Sequence, residues 1–300
     1  MTINYNKSRR QALKSLRDGC LVYLCLPWIS RLKADHGIQK TGEIRGKVFN
    51  LAIAKTKVNF TGEDRYATTI NGSIPGPTLH WRQGDDIILN VTNHLDEETS
   101  LHWHGILLPY QMDGAPDISF NGIAPGETFT YRFQVKQSGT YWYHSHSDMQ
   151  EQTGLYGAIV IDPQIEETVH ADRDYVVLMS DWTDEDPLTV FAKLKKESAY
   201  YNTNQPTALQ LWQDIREEGI VSAFAKRHMW NMMRMNRTDL ADISAQTYTY
   251  LLNGHTVNDN WSGLFNSGET IRLRFINASA QSFFDVRIPG LKMTVISADG

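Results

Sequence analysis

Period-two alternation constrains this chain more than any other feature. Over residues 128–135, Phe129, Tyr131, Phe133 and Val135 alternate with Thr128, Thr130, Arg132 and Gln134. Successive side chains of a strand point to opposite faces, so this run buries one face and wets the other, which a helix of the same sequence could not do. The runs 87–92, 140–143 and 155–161 are likewise short and rich in β-branched, aromatic or apolar residues. Turn residues separate them: 71–77 reads Asn-Gly-Ser-Ile-Pro-Gly-Pro, and Asp162-Pro163 closes the series. Many short strands between Gly/Pro turns predict a sandwich or barrel. Hydrophobic residues are 41% and aromatics 11% of the chain, enough to fill a core, so disorder is excluded as the main state. A net charge of −5, with no cluster of Lys and Arg in the body, leaves nucleic acid without a basic footprint.

A second series starts at 175–180 and resumes with 247–252, 270–277, 283–288 and 291–297. The interruption, about 187–240, has helical spacing. Asp186 before Pro187 reads as an N-cap with proline at the first helical position. Ala208, Leu209, Trp212 and Ile215 share one face, Gly219 ends that helix, and Val221, Phe224, Ala225, His228, Met229 and Met232 repeat the pattern. The last run leads into Ala298-Asp299-Gly300, a hairpin signal with no returning strand, which predicts a piece of a longer protein. The expected organisation is a leader over 1–40, a first β-domain over 41–165, and an incomplete second one over 170–300 carrying the helical insertion.

The leader is read from Arg9-Arg10 ahead of the apolar run 19–29, the proportions of an export signal. The run is too short for a membrane span. The paired arginines resemble the twin-arginine signal, which implies the export machinery of that name as partner and the periplasm as destination.

Two histidine pairs carry the chemistry: His102-Trp103-His104 and His144-Ser145-His146. Residues i and i+2 of a strand share a face, about 6.6 Å apart along it, so each pair presents two imidazoles on one side. Neighbouring strands could bring the pairs together, and four neutral imidazoles suit Cu, Zn or Fe rather than Mg or Ca. A zinc hydrolase, with Asp113 as carboxylate ligand or base, is open on this evidence. The chain has two cysteines, Cys20 and Cys25, so a thiolate ligand or a cysteine nucleophile is excluded from the body.

The stretches 101–106 (Leu-His-Trp-His-Gly-Ile) and 139–146 (Gly-Thr-Tyr-Trp-Tyr-His-Ser-His) resemble the first two copper-ligand motifs of the multicopper oxidases. The stretches 71–77 and 154–160 extend the likeness. Met112-Asp113-Gly114, 181–187, 238–242 and 287–293 are similar to the copper-resistance type of the bacterial periplasm. The resemblance runs from about residue 42 to the end. It implies cupredoxin-like Greek-key β-sandwich domains, all-β apart from the insertion, of which this chain holds the first and most of the second. It implies copper as cofactor, with copper ions and O2 as partners. It assigns His102 to the type 2 copper of a trinuclear cluster, His104, His144 and His146 to the type 3 pair, and Asp113 to proton delivery. The family's other trinuclear ligands lie in C-terminal His-x-x-His-x-His and His-Cys-His motifs. Neither occurs here, so this chain holds half a ligand set and no type 1 site. The rival expectation is a non-enzymatic periplasmic protein that sequesters copper.

Met229, Met232, Met233 and Met235 are four of the nine methionines. Thioethers bind Cu(I), yet residues 229, 232 and 233 also form one helical face, so packing in a core is the expectation for Met229. His36, His80, His94, His170, His228 and His255 are isolated and read as surface or structural residues.

Overall fold

The structure, a computed structural model, describes residues 42–165, 169–197, 200–201, 207–233 and 248–300. The leader, His36, Met235, the 238–242 motif and the side chains of Met229 and Met233 lie outside the described residues.

Nine strands form two sheets in the first half. They are β1 (Glu43–Arg45), β2 (Val48–Val58), β3 (Arg65–Ile70), β4 (Gly76–Arg82), β5 (Asp86–Asn93), β6 (His102–His104), β7 (Thr128–Gln134), β8 (Gly139–His144) and β9 (Tyr156–Asp162). One sheet has the order β3-β2-β5-β7 and the other β1-β4-β9-β8-β6. Each sheet mixes parallel and antiparallel neighbours: β2 runs parallel to β5 and antiparallel to β3, and β4 runs parallel to both β1 and β9. Such crossovers arise when strands adjacent in sequence are dealt to opposite sheets.

The core lies between the two sheets. Phe49, Leu51 and Ile53 of β2, Leu89 and Val91 of β5, and Tyr131 and Phe133 of β7 meet Leu79 and Trp81 of β4, Trp103, Tyr143, Ile159 and Ile161. Tyr131, Phe133 and Val135 are buried while Thr128, Arg132 and Gln134 are exposed, so the alternation of 128–135 is realised as read.

A third sheet, β11-β10-β12, consists of β10 (Arg173–Trp182), β11 (Thr249–Leu252) and β12 (Ile271–Asn277). β10 pairs antiparallel with β11 and parallel with β12. A second apolar cluster joins it to the first sandwich, with Val58, Ala67, Ile74, Tyr156 and Ala158 meeting Leu178, Trp182, Leu251 and Ile276. Within that cluster the Tyr156 hydroxyl hydrogen-bonds Ser180 Oγ at 2.8 Å. Buried Asp181 accepts from the backbone N–H groups of Ala280, Gln281 and Ser282, which folds the chain after β12 back over β10.

Residues 283–288 and 291–297 differ from expectation. No strand is formed there among the described residues, and Phe283, Val295 and Ile296 are exposed. A strand is defined by its ladder partner, and these apolar runs meet none.

The insertion holds α1 (Pro187–Lys196), α2 (Ala208–Glu218) and α3 (Ile220–Met233). Asp186 caps α1 by accepting from the Thr189 N–H at 2.8 Å, and Thr207 caps α2 in the same way. Gly219, at φ 87°, supplies the left-handed residue that separates α2 from α3. The helical spacing is real, but the apolar face is not buried. Leu209 is 66%, Trp212 54% and Met232 71% exposed, while the side chain of Met229, expected in a core, lies outside the described residues. Amphipathic spacing requires a cover, and none of the described sheets lies over this face.

Candidate metal centre

The centre is built on the pairing of β6 with β8. The register sets His102 opposite His144, Trp103 opposite Tyr143 and His104 opposite Trp142. Because faces alternate, Trp103 and Tyr143 go into the core, both fully buried, and His102, His104, Trp142 and His144 share the other face. His102 and His104 have ring centroids 5.7 Å apart, and the cross-strand pair His102 and His144 5.4 Å apart. One ligand atom from each of His102, His104 and His144 can be chosen so that all lie within 4.8 Å of one another. His146, just beyond β8, joins by ring contact, 4.5 Å from His102 and 5.0 Å from His144.

Hydrogen bonds set which nitrogen each ring offers. His102 Nδ1 faces the main-chain carbonyl of Asp113 at 2.8 Å, so Nδ1 carries the proton and Nε2 has the free lone pair. His144 Nδ1 faces the Ser145 carbonyl at 3.0 Å and the Glu151 carboxylate at 2.7 Å, and its Nε2 lies 3.2 Å from His104 Nδ1. His104 thus enters by Nδ1 where its neighbour enters by Nε2. Burial, and then the charge each neighbouring imidazole would carry if protonated, pushes His104 and His146 below the ordinary histidine pKa. Both therefore favour the neutral, ligating form. Two acceptor-bound Nδ1 atoms and a converging set of imidazoles fit copper among the imidazole-binding transition metals.

Asp113 stands at the edge of the cluster, its Oδ1 3.5 Å from His102 Nδ1. Its backbone is brought there by Gly114, whose φ is 79° and on which a Cβ would stand 2.0 Å from the Leu101 carbonyl oxygen. Only glycine allows that approach.

Three features of the site lie outside the ligand set expected from the sequence. Trp142 stacks on His144 at 4.1 Å and 14° and lies 5.0 Å from His104, so it shields two imidazoles from one side. Gln150, buried, accepts from Thr99 Oγ1 and Ser145 Oγ and donates to the Glu98 carbonyl. Glu151 reaches His144. Trp142 could have been found by alternation, as it shares parity with His144, but no periodicity marks Gln150 or Glu151 on a loop. Of the isolated histidines, His80 is a satisfied structural residue, held between Glu43 at 2.5 Å and Asp162 at 3.0 Å.

Fold and cluster define a class: an all-β protein of stacked sheets with a histidine face suited to a transition metal. Comparison with known proteins narrows it. Two multicopper oxidase family models match residues 52–166 and 220–300. The chain is 52% identical over 293 residues to copper resistance protein A of Escherichia coli, covering 98% of this chain and 48% of that protein. It is 53% identical over 293 residues to the copper resistance protein A homolog of Pseudomonas syringae pv. tomato, covering 98% and 50%. Among solved structures, the blue copper oxidase from Nitrosomonas europaea superposes with a TM-score of 0.55 at 25% identity, over 78% of this chain and 61% of that one. The chain belongs to the multicopper oxidase family, and its sandwich is cupredoxin-like. It spans about half the length of the curated relatives it matches. Among the described residues, no helix is long and apolar enough to cross a membrane.

Proposed function

We propose that this chain supplies the first cupredoxin-like domain, over 41–165, and most of a second, over 170–300, of a copper-resistance multicopper oxidase of the bacterial periplasm. The intact enzyme would couple one-electron oxidation of a reducing substrate, Cu(I) foremost, to the four-electron reduction of O2 to water. The observation that carries the reading is the convergence of His102, His104 and His144 within 4.8 Å on the paired strands β6 and β8. Bound copper supplies the one-electron redox steps that no side chain of this site can make.

The chain's own residues bind and orient. In this reading His102 serves the type 2 position, and His104, His144 and His146 the type 3 pair. Trp142 limits water access to His144, and Asp113 holds a proton beside His102. Residues 26–300 contain no cysteine and neither of the family's C-terminal histidine motifs, so in this reading another part of the intact enzyme would supply the type 1 thiolate and the remaining trinuclear ligands. That missing thiolate favours a second reading for this polypeptide by itself, copper sequestration without turnover.

Calorimetric titration of the purified chain with Cu(II) tests the site. The expected result is histidine-dependent binding with no intense thiolate-to-copper absorption in the visible and negligible oxidase turnover. His104→Ala with His144→Ala should remove most high-affinity binding. Unchanged affinity in that double variant would overturn the site.

A further inference from the structure

His102 and His144 stand opposite each other on β6 and β8, yet their outer nitrogens meet different chemistry. His102 Nδ1 meets the neutral Asp113 carbonyl at 2.8 Å, with the Asp113 carboxylate farther off at 3.5 Å. His144 Nδ1 meets the Glu151 carboxylate at 2.7 Å in addition to the Ser145 carbonyl. The His144 side chain is 8% exposed and that of Glu151 26%, so the pair sits at the inner edge of the site.

The loop between β8 and β9 holds this carboxylate in place. The Gly154 N–H donates to the Glu151 carbonyl at 3.1 Å, and Thr153 Oγ1 ties the loop to Thr68 at 2.9 Å. The side chain of the preceding residue, Gln150, is fixed by Thr99, Ser145 and Glu98. A carboxylate on the outer nitrogen of a ligating imidazole fixes its tautomer and ring orientation and makes the inner nitrogen a stronger donor.

We infer that Glu151 is the positioning residue of His144: its carboxylate, closer to Nδ1 than the Asp113 carboxylate is to that of His102, holds the Nδ1–H tautomer, aims Nε2 into the histidine cluster, and makes His144 the stronger donor of the two strand-opposed imidazoles. Glu151 touches no reacting atom. The inference rests on the copper reading above and adds to it an asymmetry between the two strand-opposed ligands.

The test uses the full chain, with Cu(II) as the probe, and two readouts. Glu151→Ala should lower Cu(II) affinity about 10- to 100-fold. Glu151→Gln, which keeps an acceptor and loses the charge, should fall between Glu151→Ala and wild type. In the metal-free protein, 15N spectra of the His144 ring should show the Nδ1–H tautomer in wild type and a mixture of tautomers in Glu151→Ala. Asp148→Asn, a charge removed from an exposed position of the same loop, should leave both readouts at wild-type values. Wild-type affinity in Glu151→Ala, or lost affinity with an unchanged His144 ring spectrum, overturns the positioning role. Retained binding in the His104/His144 double variant would overturn the copper reading instead, so the two failures are distinguishable.

Discussion

At the scale of single residues, the centre depends on where backbone is allowed to go. His102 needs an acceptor on its outer nitrogen, and the Asp113 carbonyl provides it because Gly114 lets the 113–114 segment approach Leu101. Gly114→Ala would place a methyl 2.0 Å from a backbone oxygen at a φ of 79°, so strand or loop must move. The expected cost is at least ~1–3 kcal/mol of stability, the range for a strained backbone position. Cu(II) affinity should fall with it, since the His102 ring loses its anchor. Chemical denaturation and copper titration of the same sample check both. A variant as stable as wild type would show that the segment relaxes freely.

At the scale of elements, pairing decides which side chains meet. The β6–β8 register converts two His-x-His patterns into one cluster, and a shift of one residue would send the histidines into the core and Trp103 into solvent. In the third sheet, the parallel register of β10 and β12 is pinned at one end by Glu269. Its carboxylate takes both arms of Arg173 at 3.0 Å and both the backbone and side-chain N–H groups of Asn266 at 2.8 Å. The Arg173 guanidinium, helped by Asn266, draws the Glu269 carboxyl down to about 2 from an ordinary value of 4.5. A carboxyl depressed in the folded state stabilises above its unfolded value and loses that contribution as pH falls toward the folded one. Wild type should therefore melt above Glu269→Gln at neutral pH. The gap should close between pH 4.5 and about 2. Parallel melting curves across that range measure it, and a gap at pH 2 as wide as at neutral pH would contradict the assignment.

At the scale of the molecule, one contact network runs from the first sandwich into the third sheet through Tyr156–Ser180 and the second apolar cluster. Large apolar faces on the insertion helices and along 283–297 remain exposed. The export route expected from Arg9-Arg10 belongs to this scale, because the twin-arginine pathway carries chains already folded, often with a cofactor loaded. Arg9→Lys with Arg10→Lys should leave a fused reporter in the cytoplasm. Normal periplasmic delivery of the double variant would refute the route.

The sequence alone determined the elements whose cause is local. Alternation over 128–135 dictated a half-buried strand, Asp186-Pro187 dictated a helix start, and His-x-His dictated two imidazoles on one face, since the period of a strand is two whatever surrounds it. The two histidine motifs also carried the family. What depended on partners distant in the chain was not legible. Local pattern cannot say whether an amphipathic face finds a cover, and Leu209, Trp212 and Met232, placed on helical faces by their spacing, stand exposed. Nor can it say whether a strand-like run finds a ladder, and 283–288 and 291–297 find none among the described residues. The tertiary structure alone decided that His102 faces His144, that Trp142 stacks on the cluster and that Glu151 reaches a histidine seven residues before it. A loop carries no periodicity, so where its side chains point is settled only by what the rest of the fold holds against it.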